Sequence, residues 1–423
     1  MRETAGRQQS TNQQSTNQQS TNQPSTNQPS TRQYEPVEVH GLVDSGFEAV
    51  REAFVANFSV RGDVGAGFCA YVGGRKVVDI WGGLADRGRG VAWAEDTLTL
   101  VFSTTKGATA ICAHLLAERG ELDLDAPVAA YWPEFGAAGK QTVTVRHLLA
   151  HRAGLPTLDV DMTPDEALSW GPAVEALAAQ APAWVPGTRH GYHAVTYGWL
   201  VGEVIRRVSG RSPGRYLADE VAGPLGLELW VGLPESEEQR MSKLIPAPVL
   251  APTALDLDSM PAGQAERLRA MAAPDSLTMR ALNPTNPPFS FNSREVHAGE
   301  LPAANAIATA RSLAKLYAAT VGEVDGQRIL TPTTVAAASV VQSDGPDDVL
   351  IVPTRFGSGF MLASPTSPLL GASSFGHSGA GGSLAFADPE AQVGFAYVMN
   401  QMQQNLAGDP RPAALIEALR ACL

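Results

Sequence analysis

Leu100-Val101-Phe102-Ser103-Thr104-Thr105-Lys106-Gly107-Ala108-Thr109-Ala110-Ile111-Cys112-Ala113-His114-Leu115-Leu116 reads as an extended apolar approach, a hydroxyl, and then a helix with a lysine three residues after the serine. Positions i and i+3 share a helix face, so the Lys106 amine is expected beside the Ser103 hydroxyl. A serine hydroxyl is a weak nucleophile at neutral pH; next to an amine whose pKa burial has lowered, it has a base to take its proton. The competing reading is an N-cap serine before a solvated lysine. The surrounding chain has to decide between them.

On the N-terminal side, helical spacing of Phe47, Val50, Phe54 and Phe58 predicts a helix from about Ser45 to Asn57. Val64 to Val72 and Lys76 to Trp81 then read as strands joined at Gly73-Gly74, a two-residue hairpin connection. On the C-terminal side, a helix ends near Glu118-Arg119-Gly120. Helical patterns follow at Val145–Ala150, Pro164–Trp170, Pro172–Gln180, Thr196–Val208 and Pro213–Val221. Glu235 to Arg294 carries no readable motif and is expected to form broken helices or a lid. A helix is expected over Ala306–Val321. Short strands follow at Arg355–Leu362, Ser373–His377, Gly382–Ala387 and Gln392–Asn400, and a closing helix at Pro412–Cys422. Strands at both ends with helices between them predict an α+β fold: one antiparallel sheet built from both terminal segments, with a helical domain inserted.

Composition narrows the function classes. Acidic residues outnumber basic ones, 43 to 31, for a formal charge of −12, and no basic stripe is present, so nucleic acid is not an expected partner. Cys69, Cys112 and Cys422 are odd in number and widely separated, which fits neither a disulfide framework nor a zinc site. No stretch has the ~18 consecutive apolar residues of a spanning helix. From Gln8 to Arg32 the chain repeats Ser-Thr-Asn-Gln-Gln, drifting to Ser-Thr-Asn-Gln-Pro. That tract cannot bury enough apolar surface to order itself and is expected to be disordered. One reading is that it reflects an upstream start choice and is not translated in the cell, which the intact mass of the native protein would decide. Lacking a secretory signal, the chain is expected in the cytoplasm.

Two further stretches carry chemistry. In Trp184-Val185-Pro186-Gly187-Thr188-Arg189-His190-Gly191-Tyr192-His193-Ala194, a phenol between positive charges would have a lowered pKa and could relay a proton, while a packing tyrosine is the alternative. Phe375-Gly376-His377-Ser378-Gly379-Ala380-Gly381-Gly382-Ser383 has the small residues that let backbone N–H groups approach a developing oxyanion, or that simply turn a hairpin. Its Gly376-His377-Ser378-Gly379-Ala380 core approximates the Gly-x-Ser-x-Gly nucleophile elbow. The fifth residue is Ala380, however, and a strand rather than a helix follows, so Ser378 is set aside as a nucleophile.

Taken in order, these pieces resemble the serine β-lactamase and penicillin-recognising superfamily, and within it the class C-like branch that contains the family VIII carboxylesterases. The resemblance runs from about Val37 to Leu423. Ser103-Thr104-Thr105-Lys106 matches Ser-x-x-Lys, and Tyr192-His193-Ala194 stands where that branch has Tyr-x-Asn. His377-Ser378-Gly379 stands where the superfamily has Lys-Thr-Gly. His147 to Pro156 and Asn305 to Arg311 are also family-like and are read as structural. The resemblance implies a β-lactamase-like fold with residues 1–36 as a tail, 37–122 and 301–423 as the sheet domain, and 123–300 as the helical insert. It implies an acyl-enzyme on Ser103, with proton transfer shared by Lys106 and Tyr192, and an oxyanion hole from the N–H groups of Ser103 and Ala380. His377, Ser378 and Gly379 would bind substrate, and no metal or cofactor is needed.

The departures bear on substrate. Ala194 lacks the amide that Tyr-x-Asn offers to the acylamino side chain of a β-lactam. His377 makes a weaker carboxylate site than lysine. The expected function is therefore hydrolysis of a small-molecule carboxylic ester. An acyltransferase using the same acyl-enzyme is the first alternative, and a β-lactamase or D-alanyl carboxypeptidase the next.

Overall fold

The computed structural model describes residues 37–248, 262–350, 352–404 and 408–423. The repeat tract and part of the motif-poor segment before Arg294 lie outside the described residues. Strands are numbered along the chain as β1 Val39–Val43, β2 Gly65–Val72, β3 Arg75–Asp86, β4 Val91–Ala92, β5 Thr99–Leu100, β6 Leu229–Trp230 and β7 Ile307–Ala308. They continue as β8 Ser343–Pro346, β9 Pro353–Phe356, β10 Met361–Leu362, β11 Phe375–Ser378, β12 Leu384–Asp388 and β13 Val393–Met399. The main sheet has the order β1-β3-β2-β13-β12-β11-β10-β9-β8, with β4 paired to the far end of β3. Every pairing in it is antiparallel. The two terminal segments meet where β2 lies against β13, from Ala66↔Met399 to Val72↔Val393. Gly73 and Gly74 join β2 to β3 with φ of 56° and 77°, the left-handed pair that a twisted two-residue hairpin requires.

Seven of the eight β2 residues are buried, because the sheet is covered on both faces. Phe68 and Ala70 face one layer with Phe395 and Tyr397 of β13. Against them pack Val50, Phe54 and Phe58 of helix α1 (Glu48–Val60) and Leu415, Ile416 and Leu419 of the last helix, Pro410–Cys422. Cys69 and Tyr71 face the other layer with Ala396 and Val398, beneath Leu313, Ala314 and Tyr317 of helix Ala310–Val321. Each large apolar side chain sequestered this way contributes about 1.5–3 kcal/mol. Helix α2, Thr105–Glu118, has twelve of its fourteen residues buried.

Three local expectations are corrected. The helix expected from Ala306 begins at Ala310, because Ile307 and Ala308 pair with β5 and β6 in a small second sheet and Thr309 caps the helix by accepting from Ser312 N. The strand expected over Arg355–Leu362 is broken into β9 and β10. A Cβ on Gly359, which has φ 92°, would meet Ala110 at 2.5 Å, so the chain bends around α2. The strand expected from Gly382 starts at Leu384, after a tight turn over Ala380–Gly382. The motif-poor segment resolves in part into helices Ala262–Ala272, Leu277–Leu282 and Arg294–Ala298. No helix among the described residues is long and apolar enough to cross a membrane.

Candidate active site

Ser103 stands in a turn just before α2. Leu100 pairs with Ile307, and Val101 N donates to Ala306 O at 2.9 Å, so the approach is anchored on the small sheet. The chain then turns sharply: Phe102 takes φ 45°, a left-handed conformation that costs a bulky residue on the order of 1–3 kcal/mol. Its ring is held edge-on against Phe291, with centroids 4.9 Å apart. The Thr105 hydroxyl donates to Phe102 O and accepts from Ala306 N at 2.8 Å, fixing the turn from within the helix. A Cβ on Gly107 would lie 1.9 Å from the Tyr317 hydroxyl oxygen, so this glycine lets α2 sit against helix Ala310–Val321.

Lys106 is completely buried. Its Nζ lies 3.1 Å from Ser103 Oγ, 2.7 Å from Ala194 O and 3.0 Å from Ala303 O. Burial alone drives its pKa well below the ordinary lysine value. In the neutral amine, the two carbonyls take the two N–H bonds, which leaves the lone pair for the Ser103 proton. Neither carbonyl is announced by a side chain. Ala194, read from sequence only as a missing asparagine, contributes its backbone oxygen, and Ala303 was not singled out at all. The available signal was Asn305. Its amide donates to Val296 O and Gly299 O, both at 2.7 Å, and its oxygen accepts from Leu301 N, stapling the loop that presents Ala303.

Tyr192 faces the same pair. Lys106 Nζ stands 4.7 Å from the centre of its ring, and its backbone N–H donates to the buried Asp347 carboxylate at 3.0 Å. Phe356 stacks on the ring at 6.0 Å and His151 lies at 4.9 Å. Of the two readings the sequence leaves open, the lowered phenol pKa does not occur. Burial pushes it well up, Asp347 adds to the rise, and the hydrogen bond with Ser103 only partly opposes it. The neighbours point elsewhere: Arg189 pairs with Asp348 at 3.1 Å, and His193 Nε2 accepts from Leu155 N at 3.0 Å. Tyr192 is therefore held as a neutral phenol.

The loop after β11 closes the third side. Gly379 N donates to Ser383 O at 2.7 Å and Gly382 N to Gly379 O at 3.1 Å. Ser383 Oγ donates to Val101 O at 2.8 Å and lies 3.2 Å from Thr104 Oγ1, which draws the loop to the Ser103 turn. Among the described residues, no acceptor engages the backbone N–H of Ser103 or of Ala380. The carbonyl of the Gly379–Ala380 peptide is held by Gly382, so its N–H points the opposite way. His377 is buried and donates from Nδ1 to Ser378 O at 2.7 Å, leaving Nε2 as an acceptor without a partner among the described residues. Burial first, then Lys106, push its pKa down to about 3, so it is neutral at physiological pH. The Ser378 hydroxyl faces the Met361 sulfur at 3.7 Å. The structure thus brings Ser103, Lys106, Tyr192 and the Gly379–Gly382 loop together.

The Beta-lactamase family pattern matches residues 52–420. The esterase/beta-lactamase LipL of Mycobacterium tuberculosis is 37% identical, over 86% of this chain and 83% of its own. A crystallised family VIII carboxylesterase is 38% identical, with a TM-score of 0.81, over 91% of this chain and 100% of its own. A penicillin-binding protein homologue from Caulobacter crescentus is 40% identical, with a TM-score of 0.80 and the same coverage.

Proposed function

Because the chain belongs to the Beta-lactamase family and is a serine hydrolase of that fold with esterases among its relatives, we propose that it cleaves carboxylic esters of small molecules through an acyl-enzyme on Ser103. The observation that carries this reading is the Lys106 amine, fully buried and held between two carbonyls and the Ser103 hydroxyl. Lys106 takes the Ser103 proton as the hydroxyl attacks the ester carbonyl. Tyr192, a neutral phenol, passes its proton to the departing alkoxide and is reprotonated from the Lys106 ammonium, so both groups return to their starting state. The backbone N–H groups of Ser103 and Ala380 receive the oxyanion, each worth ~3 kcal/mol in the transition state. Water then attacks the acyl-enzyme by the same groups in reverse. In the same reading, residues 37–122 and 301–423 form the sheet domain and 123–300 the helical insert.

His377 selects against carboxylate-bearing substrates. With Nδ1–H committed to Ser378 O, it presents a neutral lone pair where an anion needs a donor or a positive charge. The apolar cluster packed around Tyr192, with Trp184, Ala194, Ala281, Val349, Leu350 and Met361, offers an anion no partner either. The test compares p-nitrophenyl acetate, butyrate and octanoate with nitrocefin. Wild type is expected to prefer the esters in kcat/KM, and Ser103→Ala to lose at least about three orders of magnitude. Full esterase activity in Ser103→Ala, or a kcat/KM for nitrocefin equal to that for the esters, overturns the reading.

A further inference from the structure

Arg411, in the last helix, is fully buried, and all five of its guanidinium N–H groups are engaged. Nε and Nη2 grip Asp409 at 3.0 and 2.6 Å. Nη1 donates to Asp63 at 2.9 Å and to Gln401 O at 2.7 Å. The remaining donor, on Nη2, reaches the carbonyl of Gly381. Asp409 also caps the helix, accepting from Arg411 N at 2.8 Å, and Asp63 takes the Tyr397 hydroxyl at 2.7 Å, so both carboxylates are themselves fixed.

The carbonyl that Arg411 reaches belongs to the turn that carries Ala380. That turn is clamped from two sides. A Cβ on Gly379 would lie 2.2 Å from Val101 O, against the approach to Ser103. A Cβ on Gly382 would lie 2.2 Å from Arg411 Nη2 and 2.4 Å from Asp409. Gly381, between them, has φ 84°, and its carbonyl accepts from Gln403 N as well as from Arg411. The turn is too glycine-rich to hold its own shape; its conformation is imposed by the guanidinium on one side and the Ser103 turn on the other.

We propose that Arg411 is a positioning residue for ester hydrolysis: anchored by Asp63 and Asp409, it holds the Gly381 carbonyl and thereby aims the Ala380 N–H at the oxyanion. The inference rests on Ser103 being the acylation site. Its consequence is selective. A misaimed oxyanion donor weakens the transition state and leaves the bound ester almost untouched.

The test uses the full chain, p-nitrophenyl butyrate as substrate, and phenylboronic acid as a probe that forms a tetrahedral adduct with an active serine. Arg411→Lys keeps a charge but loses the fork. It is expected to lower kcat by tenfold to hundredfold, with KM within about twofold, and to raise the boronate inhibition constant in step with the loss of kcat. Asp63→Asn leaves four of the five guanidinium contacts and is expected to show the same signature at about one-third to one-tenth of the size. Arg420→Met is the control. Arg420 lies on the same helix and also binds backbone carbonyls, those of Leu369 and Leu370, but away from this turn. It is expected to lower the melting temperature with kcat and boronate affinity unchanged. A folded Arg411→Lys with kcat within twofold of wild type overturns the proposal, as does a kcat loss without a loss of boronate affinity in both Arg411→Lys and Asp63→Asn. If instead Ser103→Ala stays active, it is the acyl-enzyme reading that fails.

Discussion

Two basic side chains, Lys106 and Arg411, lie completely buried near the Ser103 turn, and their surroundings are opposite. Lys106 meets a hydroxyl and two carbonyls, and burial carries its pKa well down. Arg411 meets two carboxylates as well as two carbonyls, and against burial the adjoining Tyr397 oxygen and the Asp409 and Asp63 carboxylates hold its pKa above the ordinary guanidinium value. Desolvation penalises both alike, so the difference lies in the partners. Carbonyl dipoles orient an amine without insisting on its charge, which suits a group that must shed and regain a proton. Carboxylates fix both charge and geometry, which suits a group that must hold a shape. In the proposed mechanism, one region serves a proton that moves and the other a shape that stays.

The sharpest way to break this contrast is Lys106→Arg. A guanidinium stays protonated, so despite its positive charge the variant is expected to lose about three orders of magnitude or more in kcat/KM for p-nitrophenyl butyrate, as Lys106→Met does. Activity within tenfold of wild type would show that position 106 needs only charge. A smaller effect is expected where carbonyl orientation alone is disturbed. Asn305→Ala unpins the loop that carries Ala303 O, leaves buried backbone groups unpaired at a cost of ~1–3 kcal/mol, and is expected to reduce kcat about tenfold. Unchanged kcat with lowered stability would confine Asn305 to folding.

The smallest effect tests whether other buried bases without carboxylate partners behave like Lys106. Burial pushes His114 down to about 4, against the pull of Ser358 O. A base depressed in the folded state contributes stability that is fully present above its unfolded pKa near 6.5 and is lost as pH falls through the folded value. The melting temperature is thus expected to fall between pH 6.5 and 4. His114→Gln, which keeps a donor to Ser358 O, is expected to flatten that slope by a few degrees in calorimetry across a pH series. An unchanged slope would remove His114 from the acid response.

How much of this could be read in the sequence follows from what kind of atom does the work. Ser103, Lys106 and Tyr192 use side-chain atoms, and the resemblance of Ser103-Thr104-Thr105-Lys106 and Tyr192-His193-Ala194 to the family motifs singles them out as candidates in the sequence. The sheet was legible for the same reason: the buried runs of β2 and β13 have few polar residues to confuse them. The Ala194 and Ala303 carbonyls were not legible, because every residue has one and only the fold decides which of them meet an amine. A lowered Tyr192 pKa would have needed the charges adjacent in sequence to face the phenol; Arg189 turns to Asp348 instead and burial dominates, an outcome only the fold decides. Arg411 gave no local signal, because its meaning depends on Asp63, almost 350 positions earlier, and on the turn at Gly381.

The seven-residue pairing of β2 with β13 also sets a clock. It joins segments more than 300 residues apart, a loop closure whose entropy must be met before the contacts reward it, and such non-local pairings form slowly. The Ser103 turn follows β2 and β3 along the chain, whereas the Ala380 turn lies between the late strands β11 and β12. If the Ala380 turn supplies the proposed oxyanion hole, catalysis has to wait for this long-range closure during folding. The return of hydrolysis in a refolding chain should trail the return of helical signal, and enzyme activity becomes a late-reporting stopwatch for assembly of the sheet.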